Sequence, residues 1–510
     1  MPINEIVETW AIEKPEHAAF SIGEVSINFD ELVNARNQTL SAIDSADIKQ
    51  STIQGTGNLI ALNAVNHIGF AAQFLAATYG LNRCLLISSS MPLHQVKAAI
   101  DVLNPDLMLC VNCDIYDAKT FDFPIISSSD LDVVSPVLDS YSYVGDNAQS
   151  TFLISFTSGT TSAPKAFSRN RSSWIKSLRS SKTVFGVDQS TTTLAPGPLA
   201  HGLSLYAMAE TLSAGAHFVS LEKFNADAVI SLVDLYKVKR LVMVPTMLHA
   251  LCELLERREI KIDDVTSIVS AGAKLQPSML ARLNRVLPNA MIFEYYGASE
   301  LGFISYAARD VNDDGLDLGA DVGTAFPGVE IEIRDELGQC LSVDHVGIIC
   351  VKSDLMCDGY VMGGDGVGFK ADSDWASVGD LGYLDTDNKL HLIGRSDGMI
   401  ISGGNNIYPS QIEREILKTD GIKCAVVMGV ADQYLGTKLV AIISHFQQNL
   451  TYDNLMMDMS TTLAKHSHPK IIYIVQEWPL TESGKISMQT LVQWIENSDD
   501  RLDPLQGDGQ

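Results

Sequence analysis

Positive charge is scarce in this chain for its size. In 510 residues, 36 Lys+Arg face 62 Asp+Glu, a formal net charge of −26. So acidic a surface disfavours adhesion to nucleic acid or to an anionic membrane. An anionic substrate would therefore need a local group of lysines and arginines, or a bound cation. Cysteine is sparse as well, and eight in the whole chain is far from disulfide-scaffold density. "CVNC" (Cys110 to Cys113) has no second pair at zinc-site spacing, so no structural zinc is expected. The opening "MPINEIVETW" lacks the basic start and apolar core of a secretory signal. The longest apolar stretch, "LIALNAVNHIGFAAQFLAATYGL", is broken by Asn63, Asn66, His67 and Gln73. It is too polar for a bilayer and predicts a buried strand followed by a packed helix. No integral membrane segment is expected, and the expected location is cytoplasmic.

Repeats of solenoid period and low-complexity segments are absent too. What is present is an alternation of short β-rich runs and helical patterns from about residue 55 to 300. "TFLISF" and "RLVMVP" predict strands; "PTMLHALCELLERRE" and "PSMLARLNRVL" predict helices. Such alternation argues for an α/β fold with parallel-type sheets packed by helices. From about residue 320 the texture becomes β-rich, with "VEIEIRD", "VGIICVK" and "KLHLIGR" broken by Gly and Asp turns. Pro409 then opens a helix in which Ile412 and Ile416 recur at helical spacing. Strands "CAVVMGV", "KLVAIISHF" and "KIIYIVQEW" follow, around a helix near 453–465. The expected division is a large N-terminal domain over 1–396 with a β-rich subdomain, a small α+β C-terminal domain over 397–497, and a disordered tail over 498–510.

"SFTSGTTSAPKAF" (Ser155 to Phe167) combines glycine, hydroxyls and a lysine directly after a predicted strand. A Walker loop needs G-x-x-x-x-G-K-[ST]. Aligned on Gly159, this chain has Pro164 in place of the second glycine and Ala166 in place of the metal-binding hydroxyl. Proline removes a backbone donor, which excludes an ordinary P-loop. Phosphate binding still suits the segment. Thr157, Ser158, Thr160 and Thr161 offer hydroxyls, Gly159 allows close backbone approach, and Lys165 adds charge. Read alone, the same composition also fits a solvated loop.

Four further segments give the loop its context. With "YYGASE" (Tyr295 to Glu300), "SVGDLGYLD", "GRSDGMIISGGNNIYPSQIE" and "PLTESGKI", it resembles the ordered motifs of the adenylate-forming superfamily. That superfamily comprises acyl-CoA synthetases, adenylation domains and beetle luciferases, and the character here is closest to bacterial acyl- or aryl-CoA ligases. Two positions depart from the family pattern. Ser162 stands where the loop usually has glycine, and Ser299 replaces a threonine while keeping its hydroxyl.

The resemblance implies ATP, Mg²⁺ and, as co-substrate, CoA. It also implies a C-terminal domain that moves about a hinge at Asp397. Lys485 would be the catalytic cation at the α-phosphate. Glu300 and Thr161 would hold Mg²⁺, and His201, in "PGPLAHGLSLY", would lie beside the acyl group. The nucleotide would meet Thr157, Ser158, Gly159, Thr160, Thr161, Lys165, Tyr296, Gly297, Ser299, Asp380, Arg395 and Asn406. Two carboxylate oxygens let Asp380 accept from both ribose hydroxyls. Small Gly272 and Ala273 would admit adenine or the acyl group. Ser402, Gly403 and Gly404 would line the path of the thiol, or form a flexible hinge loop.

The implied reaction converts a carboxylic acid to an acyl-adenylate, releases pyrophosphate, and then transfers the acyl group to a thiol. "LAHGLSLY" has no aspartate for a substrate ammonium, which favours a fatty or aromatic acid over an α-amino acid. Alternatives are an adenylation enzyme serving a carrier-protein thiol in trans, an amide synthetase, or a non-catalytic nucleotide-binding relative.

Overall fold

The computed structural model describes residues 3–46, 48, 57–111, 121, 123–127, 148–157, 164–275, 277–310, 321–363, 370–372, 374–395, 398, 400–402, 405–432, 436–445, 450–481 and 484–505. The chain divides into two compact units. The first takes residues up to 315, with 325–330 and 352–369; the second takes 316–324, 331–351 and 370 onward. The β-rich stretch that sequence texture groups with the N-terminal region therefore falls largely in the second unit.

Two sheets build the first unit. One runs from Thr324–Ala325 through Gly302–Asp310, Met291–Ala298, Ser267–Ala271, Arg240–Val242, Thr193–Leu194, Phe218–Ser220 and Ala18–Ile22 to Val25–Asn28. From Met291–Ala298 to Ala18–Ile22 the neighbours are parallel, while Gly302–Asp310 and Val25–Asn28 each pair antiparallel with the strand inside them. The other runs Gly359–Met362, Ala166–Asn170, Thr151–Phe156, Arg83–Ser88, Leu59–Ala64, Leu107–Cys110, Ile125–Ser127. "TFLISF" is the strand Thr151–Phe156, as its apolar run predicts. Every residue of Leu59–Ala64 is buried, and the helix Phe70–Ala77 follows. The longest apolar stretch is thus a core strand and a core helix. Among the described residues no helix is long and apolar enough to cross a membrane.

Polar residues inside that stretch have a use. Buried Asn66 donates to the carbonyls of Gly197 (3.0 Å) and Leu221 (2.8 Å) and accepts from the Leu199 N–H (2.8 Å). It thereby fixes the loop that leads to His201. Burying an amide this way costs little because its hydrogen bonds are remade inside the protein. Helix starts follow from capping. Asn28 forms a reciprocal box with Glu31 ahead of Phe29–Ser45, and Asn170 caps Arg171–Phe185, which stops at left-handed Gly186. Trp174 on that helix is fully buried, with ring centroids 4.8 Å from Phe152, 4.9 Å from Tyr206 and 5.9 Å from Phe74. It ties the helical layer to the second sheet.

In the second unit, Asp380–Leu384 pairs antiparallel with Leu390–Arg395. A further sheet runs Ile422–Asp432, Gly436–His445, Ile471–Ile474, Asp503–Pro504. "CAVVMGV" is apolar on both faces because both are covered. Ala425 and Val427 pack with Ile412, Ile416 and Leu455, while Val426 and Met428 pack with Leu491 and Trp494. Pro409 occupies the first turn of the helix Pro409–Ile416, where its missing N–H costs nothing. The tail expected to be disordered is ordered through Leu505. Asp503 and Pro504 pair with Ile474 and Tyr473, and residues 506–510 lie outside the described residues.

Candidate active site

Glu300 sits on a hairpin whose shape depends on two glycines. The strands Met291–Ala298 and Gly302–Asp310 pair with a bulge between Tyr296 and Gly297. A Cβ on Gly297 would lie 2.6 Å from the Gly302 carbonyl oxygen, so only glycine allows this approach. Gly302, at φ +75°, leaves no room either, since a Cβ there would lie 2.7 Å from the Leu355 carbonyl oxygen. Between them Ser299 and Glu300 project from the turn.

That turn is held by the neighbouring sheet. The Cys357 N–H donates to the Glu300 carbonyl at 2.8 Å, and Arg169 reaches the carbonyls of Ser299 (3.5 Å) and Leu355. The Tyr360 hydroxyl donates to Glu300 Oε1 at 2.5 Å, a short charge-assisted bond. Tyr360 lies opposite Phe167 on the next strand, two residues beyond Lys165. The Lys165 ammonium stands 6.0 Å from the centroid of the same phenol ring. One ring thus sits between an ammonium and a carboxylate. Lys165 also closes the base of the hydroxyl-rich loop, accepting from the Thr157 N–H at 3.0 Å. Burial pushes the Cys357 thiol up to about 11, which keeps this nearby cysteine from serving as a nucleophile.

A second carboxylate organises the adjoining loop. Glu294 is buried and accepts from the Leu275 N–H (2.7 Å), Lys274 Nζ (3.0 Å) and Arg309 Nη1 (2.9 Å). These bonds pin the loop after the strand Ser267–Ala271, leaving Gly272 and Ala273 exposed. Tyr296 and His201 are half-buried, and His201 is the N-cap of the helix Gly202–Ser213.

The second unit carries its own candidates. Asp380 is 9 % exposed and lies directly opposite Arg395 in the strand register. Lys485 is exposed at the end of a tight turn: the Gly484 N–H donates to the Thr481 carbonyl (2.9 Å), and the Thr481 N–H to that of Lys485 (2.7 Å). Ser402 pairs with Asn405, and Ile401 with Asn406, in a short hairpin. Ser158, Gly159, Thr160, Thr161, Asp397, Gly403 and Gly404 lie outside the described residues, as do the side chains of Arg395, Ser402 and Asn406.

Sequence reading missed Tyr360 and Glu294. Glu294 carried a signal, a lone carboxylate inside the apolar strand "MIFEYYGA", which demands buried partners. Tyr360, in "CDGY", carried none beyond its glycine neighbour. No group of three or more His, Cys, Asp or Glu suited to a metal occurs among the described residues. Cys110 is disulfide-bonded, and Cys84, Cys252, Cys340, Cys350, Cys357 and Cys424 are free. Glu300 still suits Mg²⁺, which takes one or two carboxylates and completes its shell with phosphate and water oxygens.

Residues 7–361 match the model of an AMP-binding enzyme, and residues 411–485 match the AMP-binding enzyme C-terminal domain. The chain is 34% identical over 340 residues to a putative long chain fatty acid-CoA ligase, VraA, of Staphylococcus haemolyticus, covering 66% of this chain and 69% of that one. It is 29% identical over 444 residues to an uncharacterized acyl-CoA ligase, YhfT, of Bacillus subtilis, covering 86% and 89%. Among solved structures, ATP-bound MatB from Rhodopseudomonas palustris superposes with a TM-score of 0.84 at 21% identity, over 98% of this chain and 99% of that one.

Proposed function

The chain is a member of the AMP-binding enzyme family, and from that premise we propose that it activates a carboxylic acid with ATP and passes the acyl group to CoA. In the first step a carboxylate oxygen of the acid forms a bond to the α-phosphorus of ATP. The bond from that phosphorus to the bridging oxygen breaks, and pyrophosphate leaves. In the second step the thiol sulfur bonds to the acyl carbon, AMP departs with the former carboxylate oxygen, and the thiol proton goes to solvent. Relatives named as acyl-CoA ligases favour CoA as the acceptor.

The observation that carries the reading is the seat of Glu300, fixed by Tyr360 and facing the same ring as Lys165. Two anions must meet in the first step, so charge has to be neutralised before the transition state forms. Mg²⁺ held by Glu300 and Thr161 would supply Lewis-acid shielding of the phosphates. Lys165 adds a fixed positive charge, with Thr157, Ser158, Gly159, Thr160 and Ser299 donating to phosphate oxygens. Asp380 accepts from the ribose hydroxyls, and Arg395 and Asn406 complete the nucleotide contacts. Tyr296 and Gly297 face adenine, with the exposed Gly272 and Ala273 leaving space beside it. His201 borders the acid. Lys485 bridges the acid and the α-phosphate in the first step only; Asp397 is the hinge, and Ser402, Gly403 and Gly404 border the thiol in the second.

The test is the product of ATP turnover. With Mg²⁺ and an accepted acid, the protein should catalyse ATP–pyrophosphate exchange, and chromatography should show AMP and pyrophosphate. ADP as the main product would overturn the assignment.

A further inference from the structure

The helix capped by His201 and the strand that ends beside Tyr296 enclose a second polar feature, deeper in the first unit. Glu210 on that helix and Arg240 at the head of the strand Arg240–Val242 form an ion pair of 2.7 Å. They are 7 % and 1 % exposed. The guanidinium lies 5.3 Å from the Phe185 ring centroid. Both residues line a small cavity of about 10 Å³, with Val242, Val269, Tyr295 and Phe303 among its walls. Arg240 Nε, Arg240 Nη1 and Glu210 Oε1 have no hydrogen-bond partner among the described residues.

Such a pair is not explained by stability. A buried ion pair is often matched or bettered by an apolar pair of similar volume, and donors left unpaired make it worse. Glu294 shows the contrast, since its three bonds satisfy it within the same sheet. The unpaired atoms border a space, and two of the residues that line it are near neighbours in the chain of candidate-site residues. Tyr295 adjoins Tyr296, and Leu203, another lining residue, follows His201 by two positions.

We infer that this cavity is the far end of the acid pocket and that Arg240 and Glu210 select an acid bearing a hydroxyl group at its distal end. The inference rests on the proposed acid-activating function and names its substrate class. The chemistry of the pair sets the choice. Two N–H donors and one carboxylate acceptor together match a group that both accepts and donates. A second carboxylate would be repelled by Glu210, and an alkyl end would leave all three atoms dry and unpaired. The size of the cavity fits one hydroxyl in the place of one water.

Depth argues for a compact acid. Arg240 pairs in register with Ser267, and Ser267 with Met291, so Tyr296 stands five strand positions above the arginine. At strand rise that is roughly 16 Å, part of which the arginine side chain itself spans. A long fatty chain would have to run into the ion pair.

The experiment measures ATP–pyrophosphate exchange with matched acids: hexanoate against ω-hydroxyhexanoate, and benzoate against para-hydroxybenzoate. The native protein should prefer the hydroxylated member of at least one pair by roughly 10²-fold or more in kcat/KM, because a site built for a hydroxyl strongly rejects the analogue without it. The paired substitution Arg240→Met with Glu210→Leu removes both charges together, so neither is left buried alone. It should reverse that preference, raising kcat/KM for the parent acid and lowering it for the hydroxy acid. Circular dichroism checks that the variant is folded. The native protein alone suffices if the variant does not fold. Exchange without any preference for a hydroxyl, meaning that the cavity holds only a structural water, overturns this inference and leaves the proposed function standing. Exchange with no acid of any kind overturns the proposed function and this inference with it.

Discussion

Glu300 and Lys485 are the two charges on which the proposed chemistry turns, and they are held in opposite ways. Glu300 is gripped by residues far away in sequence: its carbonyl by Cys357, its carboxylate by Tyr360, its turn by Arg169. Among the described residues the bonds of Lys485 are the local ones of its own turn, to Thr481, and the residue is exposed. A group that serves through a whole reaction gains from preorganisation; one that serves a single step must be able to leave. The difference fits the proposed roles, a permanent one for Glu300 and a transient one for Lys485.

The sharpest way to break the comparison is Lys485→Ala. It should cut acyl-adenylate formation by at least roughly 10²-fold, the scale of losing one preorganised charge-stabilising donor. The variant should still convert a supplied acyl-adenylate to thioester. Equal loss of both half-reactions would mean that Lys485 does not leave. Next in size is Asp380→Ala, which removes a charged acceptor from the ribose. Hydrogen bonds to a charged group contribute about 1.5–3 kcal/mol, so the specificity constant for ATP should fall roughly 10- to 100-fold. Unchanged kinetics for ATP would reject the ribose role.

Tyr360→Phe keeps the ring near Lys165 and removes only the bond to Glu300. It should weaken activity by roughly tenfold, the lower end of the worth of a hydrogen bond to a charged group, and raise the Mg²⁺ concentration at half-maximal rate. An unaltered Mg²⁺ dependence would show that the seat does not matter.

The smallest effect concerns stability in the second unit. Buried Glu413 accepts from the Val427 N–H at 2.8 Å, yet burial lifts its carboxyl from about 4.5 to about 7. The native form therefore keeps a proton that the unfolded chain has lost. Stability should be greatest below pH 4.5, fall as pH rises toward 7, and level off above. Glu413→Gln should flatten this slope, shifting the melting temperature at pH 8 upward by roughly 2–4 °C, the worth of about 1 kcal/mol. A slope that survives the substitution would assign it to other groups.

What the sequence displayed was whatever depends on near neighbours. "TFLISF" predicted its strand to the residue, Pro409 its helix start, and the five motifs the family. What it hid depends on pairs distant along the chain. Glu300 and Tyr360 are sixty residues apart, and Arg240 and Glu210 thirty, with no spacing rule that links them. The ordered tail was hidden for the same reason. "RLDPLQ" reads as a loose end, and only the exposed edge of the strand Ile471–Ile474 gives it a place.

The grip of Tyr360 on Glu300 also has a consequence for synthesis on the ribosome. The strand Ala166–Asn170 is made early, and its partner Gly359–Met362 emerges only much later in translation. Until then one side of a hydrophobic sheet presents unpaired amides and carbonyls, an invitation to pair with other nascent chains. The same late strand that completes the seat of Glu300 also closes that edge. Truncation before Gly359 should therefore leave an aggregation-prone sheet as well as an inactive site.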